Sequence, residues 1–539
     1  MTDIIINHNE LATYFARRYP HHWSVHFDRI FNLEPLIEVC NSYRSTTGRG
    51  GQQIDHPTRC LVRGLVAKYL ENWSCRQTEN HLDRDIWLKW WVGYGVLDSP
   101  FDHTTLQRFE MWVYQYHPHL FFNTLQQQFD QLHPELKSDV QIVDTFAMVA
   151  RAAKQETIEL LRALSRRVLR ELEAIDFPAA EKILSKLTPT ALWGEAKEKP
   201  SGLLNAKGRA ERLQKVAEQT QLLQQEVTAY LAMSDSDLAD SPLAEWLGHL
   251  SKVLRSEVKF ETAATGEVII TEKAHDDKGS YRIMSASDPD ATYRLHGTQP
   301  GVLGYNVSLL TDGDFIRTVQ VDTGAQPDNV ALPDLLATQK EDQHFMPRQL
   351  LGDQAYGTGQ VRANVAKVTD NYTQLVAKIP PYESRTHLFG PTDFELDESD
   401  PAKPRLICPQ GRSTTDSSNN PNRPGRDFRF TAKICVDCPL WNQCRQETSN
   451  PKGRRSVFIS DHRDVVAQAR LFNATPAFKE LMPQRWPIER HIAHLTQYYG
   501  ARHAKGVGRA RADYQAHMAA MAYNVQRGLR LHAAALAEG

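Results

Sequence analysis

This chain lacks any hydrophobic run long enough to cross a membrane, any strong net charge, and any abundance of cysteine. Among its 539 residues no apolar stretch approaches the ~20 residues that a bilayer-spanning helix requires. The start, Met-Thr-Asp-Ile-Ile-Ile-Asn-His, is no signal peptide, so a cytosolic, nucleoid-associated bacterial protein is the expectation. A net charge of −2 means that bulk composition does not announce a nucleic-acid binder. Seven cysteines in a cytosolic chain do not make a disulfide framework. The 21 histidines include no His-x-x-x-His pair in a helix that also offers a Glu, which argues against a zinc hydrolase. Asp322-Thr-Gly324 occurs once, where an aspartic protease needs two copies, and reads as a strand end with a turn.

What is present is three acidic residues in distinctive contexts. Asp144 lies in Val-Gln-Ile-Val-Asp-Thr, Asp353 in Leu-Leu-Gly-Asp-Gln-Ala-Tyr-Gly, and Glu489 in Arg-Trp-Pro-Ile-Glu-Arg. The first two end apolar runs that read as buried strands, and the third sits near the start of an amphipathic helix. Carboxylates gathered at one point repel one another and resist ionising unless a divalent cation neutralises them. Most of the other Asp and Glu residues, 65 in all, read as solvated surface groups.

Charge is unevenly spread. Lys403 to Arg455 carries eleven Lys and Arg against four acids, and Arg485 to Arg511 carries six basic residues against Glu489 alone. Those six (Arg485, Arg490, Arg502, Lys505, Arg509 and Arg511) are the candidate phosphate contacts. Cys40, Cys60 and Cys75 sit in apolar helical patterns and suit core packing. Cys408, Cys435, Cys438 and Cys444 are spaced as four thiolates around a structural zinc, with packing or redox-active thiols as the alternatives. That metal would staple a segment with no evident core of its own.

The patterning suggests an α/β chain in six stretches. Residues 1–135 read as short helices, suited either to a helix-turn-helix type DNA-binding module or to a packing and dimerisation bundle. Residues 136–153 hold the first core strand, and 154–260 form a helical insertion of coiled-coil character, a candidate dimerisation element. Residues 261–380 complete the sheet, with strands at Glu267–Ile270 and Tyr281–Met284. A hairpin follows over Gly304–Leu310 and Phe315–Val321, then a helix at Asn329–Gln339 and a strand ending on Asp353. Pro380-Pro381 marks a boundary, and 381–475 form a basic Cys-containing insertion whose Ser413–Arg426 stretch reads as a mobile loop. Residues 476–539 return to helix, carrying Glu489 and ending near Gly528.

Together Asp144, Gly304-Tyr-Asn306, Gly-Asp-Gln-Ala-Tyr-Gly (352–357) and Glu489 ahead of Tyr523-Asn524 resemble bacterial insertion-sequence transposases of the Asp-Asp-Glu type. Asp288-Pro-Asp-Ala291 and the Cys-containing insertion are similar to one branch of that group. The resemblance, covering roughly residues 55–530, implies an RNase H-like mixed-sheet core, magnesium or manganese held by Asp144, Asp353 and Glu489, and double-stranded DNA as partner. It implies cleavage at terminal inverted repeats and joining of the freed 3′-hydroxyl to target DNA, with two metal ions serving the phosphoryl transfer. A homodimer would hold two element ends together. The branch usually places a Lys seven residues after the Glu; this chain has Thr496. The alternatives are an RNase H-like nuclease that does not join strands, or an inactive domesticated DNA-binding protein.

Overall fold

The apolar run around Asp144 folds as one ten-residue strand, β1 (Val140–Val149). The computed structural model describes residues 8–43, 56–233, 238–264, 266–295, 297, 300–379, 388–445 and 454–538. Further strands follow as β2 (Val258–Thr262), β3 (Val268–Glu272), β4 (Thr292–Arg294), β5 (Val302–Thr311), β6 (Ile316–Thr323), β7 (Gln349–Leu351) and β8 (Gln374–Val376). Except for the separate β2–β3 hairpin they form one mixed sheet, ordered β4-β5-β1-β7-β8 with β6 also paired to β5. β5 runs antiparallel to β1, while β7 and then β8 run parallel to it. The chain is therefore α/β with a mixed sheet.

Both faces of the sheet are covered. Ile142, Leu351 and Val376 pack under Ile488 and Phe478, which belong to the C-terminal helices. On the opposite face Val143, Leu310 and Leu350 pack with Leu335 of helix Leu332–Gln343 and Val361 of helix Gly359–Val368. Gly304 is explained by close approach: a Cβ there would lie 2.0 Å from the Met148 carbonyl oxygen on the neighbouring strand.

The N-terminal helices, from His8–Arg18 to Leu120–Leu132, begin where side-chain acceptors permit. Asp102 takes the Thr105 amide at 2.7 Å, and Ser74 with Gln77 closes a capping box. Phe27, Leu65 and Phe109 from these helices share one core with Phe146 and Leu309 of the sheet and Met518 and Met521 of the long helix Arg509–Glu538. The helical insertion after β1 has a separate core, built from Leu161, Leu164, Val168, Leu213, Val216, Leu223 and Leu250.

Several expectations need correction. Tyr281–Met284 is not a strand; Ile283 and Met284 are buried in irregular backbone. Ser413–Arg426 is not a loop throughout. It contains β11 (Ser413–Thr414), β12 (Ser417–Asn419) and the start of β13 (Gly425–Phe430), preceded by β9 (Glu395–Asp397) and β10 (Arg405–Ile407) and followed by β14 (Arg455–Ser460). This segment does own a small core of Phe394, Leu406, Phe428, Phe430, Val457 and Ile459. The last helix runs through Gly528, because a Cβ there would meet the Phe129 ring at 2.8 Å and glycine lets the two helices close. The helix expected at Asn329–Gln339 is Leu332–Gln343. The Pro380-Pro381 boundary lies outside the described residues.

One buried ionic group ties the sheet to the N-terminal helices. Arg317 on β6 pairs with Asp130 at 2.5 Å and also with Asp312, all three side chains being almost wholly buried. Burial pushes the Asp312 carboxyl up, and the Arg317 guanidinium opposes that push. Removing one partner strands the others in a medium that solvates charge poorly, at a cost of about 3–5 kcal/mol. Arg317→Ala is thus expected to lower the unfolding free energy read from urea denaturation by that order, and a loss below about 1 kcal/mol would refute the group's role in holding the layers together.

Candidate active site and cysteine cluster

β1 and β7 are parallel with Ile142 opposite Leu351. Two residues further along each chain come Asp144, still within β1, and Asp353, two residues past the end of β7 in extended backbone and near enough for its charge to act on Asp144. Asp353 caps the turn Gln354–Gly357 by accepting the Ala355 amide at 2.8 Å, and Asp144 accepts the Thr145 amide at 2.8 Å.

Glu489 arrives from helix Pro487–Gln497, whose Ile488 is buried against Ile142 and Leu351. Its own side chain is 70% exposed. One turn earlier, Arg485 sends Nη1 to Asp144 Oδ2 at 2.8 Å and Nη2 to Glu489 Oε1 at 3.5 Å. A single guanidinium thus bridges two of the three acids. The Asp144 carboxyl is held above the ordinary carboxylate range, first by burial and also by the nearby Asp353 charge. The Thr145 amide and Arg485 pull it back. All three acids offer hard oxygen donors, the set that magnesium or manganese prefers, and a cation already sits against two of them.

Further polar groups surround this point that sequence reasoning did not single out. Arg294 donates to Thr145 Oγ1 at 2.7 Å and pairs with Asp328 at 3.2 Å, while Asn306 donates to Asp328 at 2.9 Å. Tyr356 is 1% exposed, and among the described residues its hydroxyl finds no hydrogen-bond partner. Burial, then the charges of Asp144, Asp328 and Asp353, push its phenol well up. Gly-Tyr-Asn and Gly-Asp-Gln-Ala-Tyr-Gly carried Asn306 and Tyr356 as motif letters, but nothing local marked Asp328 or Arg294.

The six basic candidates divide. Arg490 and Arg502 are exposed. Arg485 is engaged with the acids, Lys505 reaches Asn72 Oδ1 at 3.0 Å, Arg509 lies 3.6 Å from Asp322, and Arg511 contacts Met111 Sδ at 3.6 Å. Thr496 turns its hydroxyl back to the Ile492 carbonyl at 2.8 Å and is 9% exposed, so no cation stands on that turn.

In the small β-rich segment Cys408 follows β10 in a tight turn, its amide meeting the Arg412 carbonyl at 2.8 Å. Cys435 and Cys444 close two short helices, Ala432–Cys435 and Trp441–Cys444, with Cys438 between them. The four sulfurs lie near enough to act on one another. Burial pushes the Cys435 and Cys444 thiols up, and the other cysteines add to it. Cys40 and Cys60 are buried in the main core, whereas Cys75 donates to Glu110 at 3.4 Å.

Residues 407–529 match the family model of the transposase DDE domain, and residues 13–111 match that of a transposase domain (DUF772). No curated protein and no solved structure matches the chain. Among the described residues no helix is long and apolar enough to cross a membrane.

The raised Asp144 carboxyl fixes a sign. In the folded chain it keeps its proton to higher pH than in the unfolded chain, so ionising it costs the folded state. That cost is absent below the unfolded carboxylate range and grows as pH rises through the folded pKa. With magnesium and manganese withheld, Asp144→Asn is expected to be more stable than the parent at neutral pH, the gap closing toward about pH 4. Thermal melts across that range check it; a variant less stable at neutral pH would show that loss of the Arg485 pair outweighs relief of burial.

Proposed function

The two matched segments make the chain an insertion-sequence transposase of the DDE type, a class of metal-dependent DNA-cleaving enzymes, and on that premise we propose its chemistry. The protein nicks DNA at the terminal inverted repeats of its own element and joins the freed 3′-hydroxyl to target DNA at Asp144, Asp353 and Glu489. What supports this reading is Arg485, which contacts both Asp144 and Glu489, together with the Asp353 charge acting on Asp144. An RNase H-like core agrees with a sheet in which β6-β5-β1 are antiparallel and β7 and β8 continue parallel to β1.

Magnesium or manganese bound there supplies charge neutralisation at the attacking and leaving oxygens of the phosphodiester. Asp144, paired within the sheet, and Asp353, fixed as the cap of the turn after β7, give that site its rigid half. Glu489, exposed on its helix, completes it from the solvent side. Arg485 favours the ionised form of Asp144 against the pull of burial, and turns to a DNA phosphate once the carboxylates are otherwise neutralised. Arg490 and Arg502 present charge to the phosphate backbone, with Lys505, Arg509 and Arg511 extending that basic stretch. Cys408, Cys435, Cys438 and Cys444 hold a structural zinc that fastens the turn after β10 to the two short helices. Two copies of the chain, each bringing one element end, form the working assembly.

Labelled DNA bearing the element's end, incubated with the protein and Mg²⁺ or EDTA beside Asp353→Asn, tests the proposal. Metal-dependent nicking at the boundary should fall at least about 100-fold in the variant while DNA binding persists. Binding without cleavage under any metal would reduce the protein to a DNA-binding relic, and nicks never followed by strand transfer would leave a nuclease.

The zinc assignment has its own consequence. Cys438→Ser should lower the zinc content of the purified chain by one equivalent and make residues 395–460 sensitive to protease, with the main core unaffected. Undiminished zinc would exclude the four-thiolate site.

A further inference from the structure

A second cluster of metal-ligating side chains lies where helix Leu120–Leu132 meets the long C-terminal helix. His119 stands at the start of helix Leu120–Leu132, and Asp513 and His517 sit one turn apart on the long helix Arg509–Glu538. Asp513 Oδ2 is 2.8 Å from His119 Nε2 and 3.3 Å from His517 Nδ1. All three ligating atoms lie within 4.8 Å of one another. These separations are close to those between ligands that each stand about 2.0–2.1 Å from one zinc ion. The floor is closed and the mouth open: the side chains of His517, Asp513 and His119 are 6%, 22% and 43% exposed. Phe122 stands edge-on to the His517 ring and forms an apolar wall.

We propose that His119, Asp513 and His517 form a binding site for a borderline divalent transition ion, with zinc the representative, distinct from the acidic triad and from the cysteines. Two imidazoles and one carboxylate are a mixed nitrogen and oxygen set that magnesium does not favour and zinc does. The i,i+4 placement of Asp513 and His517 puts two ligands on one helical face, and His119 supplies the third from an element almost four hundred residues earlier in the chain. The geometry also states what must change. The two His rings are stacked, with centroids 3.9 Å and planes 21° apart, and His517 Nδ1 also faces the Asp513 carbonyl oxygen at 2.9 Å. An ion takes the place of the proton shared among these groups, and His119 swings out of the stack to point its lone pair inward. Water fills the fourth position through the open mouth. The consequence is a clamp between the N-terminal helices and the helix that covers the sheet, two elements that already share a core.

The test is a zinc count on the full-length protein after dialysis against micromolar zinc, for the parent, His119→Gln and His517→Gln. Each variant should retain one equivalent less than the parent, and zinc should raise the melting temperature of the parent more than that of either variant. Cobalt substitution separates this site from the cysteines. The variants should lose only weak visible absorption, leaving the near-ultraviolet thiolate-to-cobalt band intact. His119 is half-exposed, so its variant keeps the fold even where His517→Gln does not. Equal zinc content in the parent and a folded His119→Gln would overturn the proposal and leave the trio a proton-shared ion pair.

Discussion

The parallel pairing of β1 with β7 is the constraint on which the rest of this site depends. Side chains alternate along a strand, so a slip of one residue would send Asp353 to the opposite face from Asp144. Ile142 and Leu351, opposite each other and both buried under Ile488, hold the register in place. The same apolar contact seats the helix that bears Glu489, one residue beyond Ile488. A hydrophobic contact among three residues therefore positions three acids, each displaced by one or two residues from its apolar anchor.

Gathering acids in this way creates an electrostatic problem that the fold answers locally. Asp144 is four-fifths buried from solvent, and its neighbour Asp353 carries like charge. Without metal, Arg485 is the cation in contact with Asp144 and Glu489. The Thr496 hydroxyl turns into its own helix, so Thr496 adds no charge to this helix. Arg485 therefore answers two acids with one guanidinium, closely at Asp144 (2.8 Å) and more loosely at Glu489 (3.5 Å).

Where periodicity is local, the sequence was legible. β1, the β5–β6 hairpin and the strand before Asp353 are runs of apolar residues bounded by turn formers. What failed was local pattern with a tertiary cause. Tyr281–Met284 has the residues of a strand but joins no ladder among the described residues, and Ile283 is buried among the helical insertion instead. The Ser and Asn strands around Ser413–Asn419 look like loop because their stability is borrowed from Phe428, Phe430, Val457 and Ile459 next to them. Gly528 reads as a stop signal but exists to admit Phe129. Asp328, held by Arg294 and Asn306, and His119, held by Asp513, meet partners from distant parts of the chain and leave no spacing to read.

The long separation of the three acids in sequence follows from the same logic. Between Asp144 and Asp353 the chain makes a helical insertion with its own buried leucines, and between Asp353 and Glu489 a β-rich insertion with its own aromatic core. The first returns to the sheet and the second to the C-terminal helices that cover it, each with its own apolar surface already buried. The entropy of closing such a detour grows only slowly with its length. Insertions of this kind therefore cost the central register little, whereas one residue added inside β1 or β7 would cost it everything. The acids can drift apart along the chain for as long as Ile142, Leu351 and Ile488 still meet.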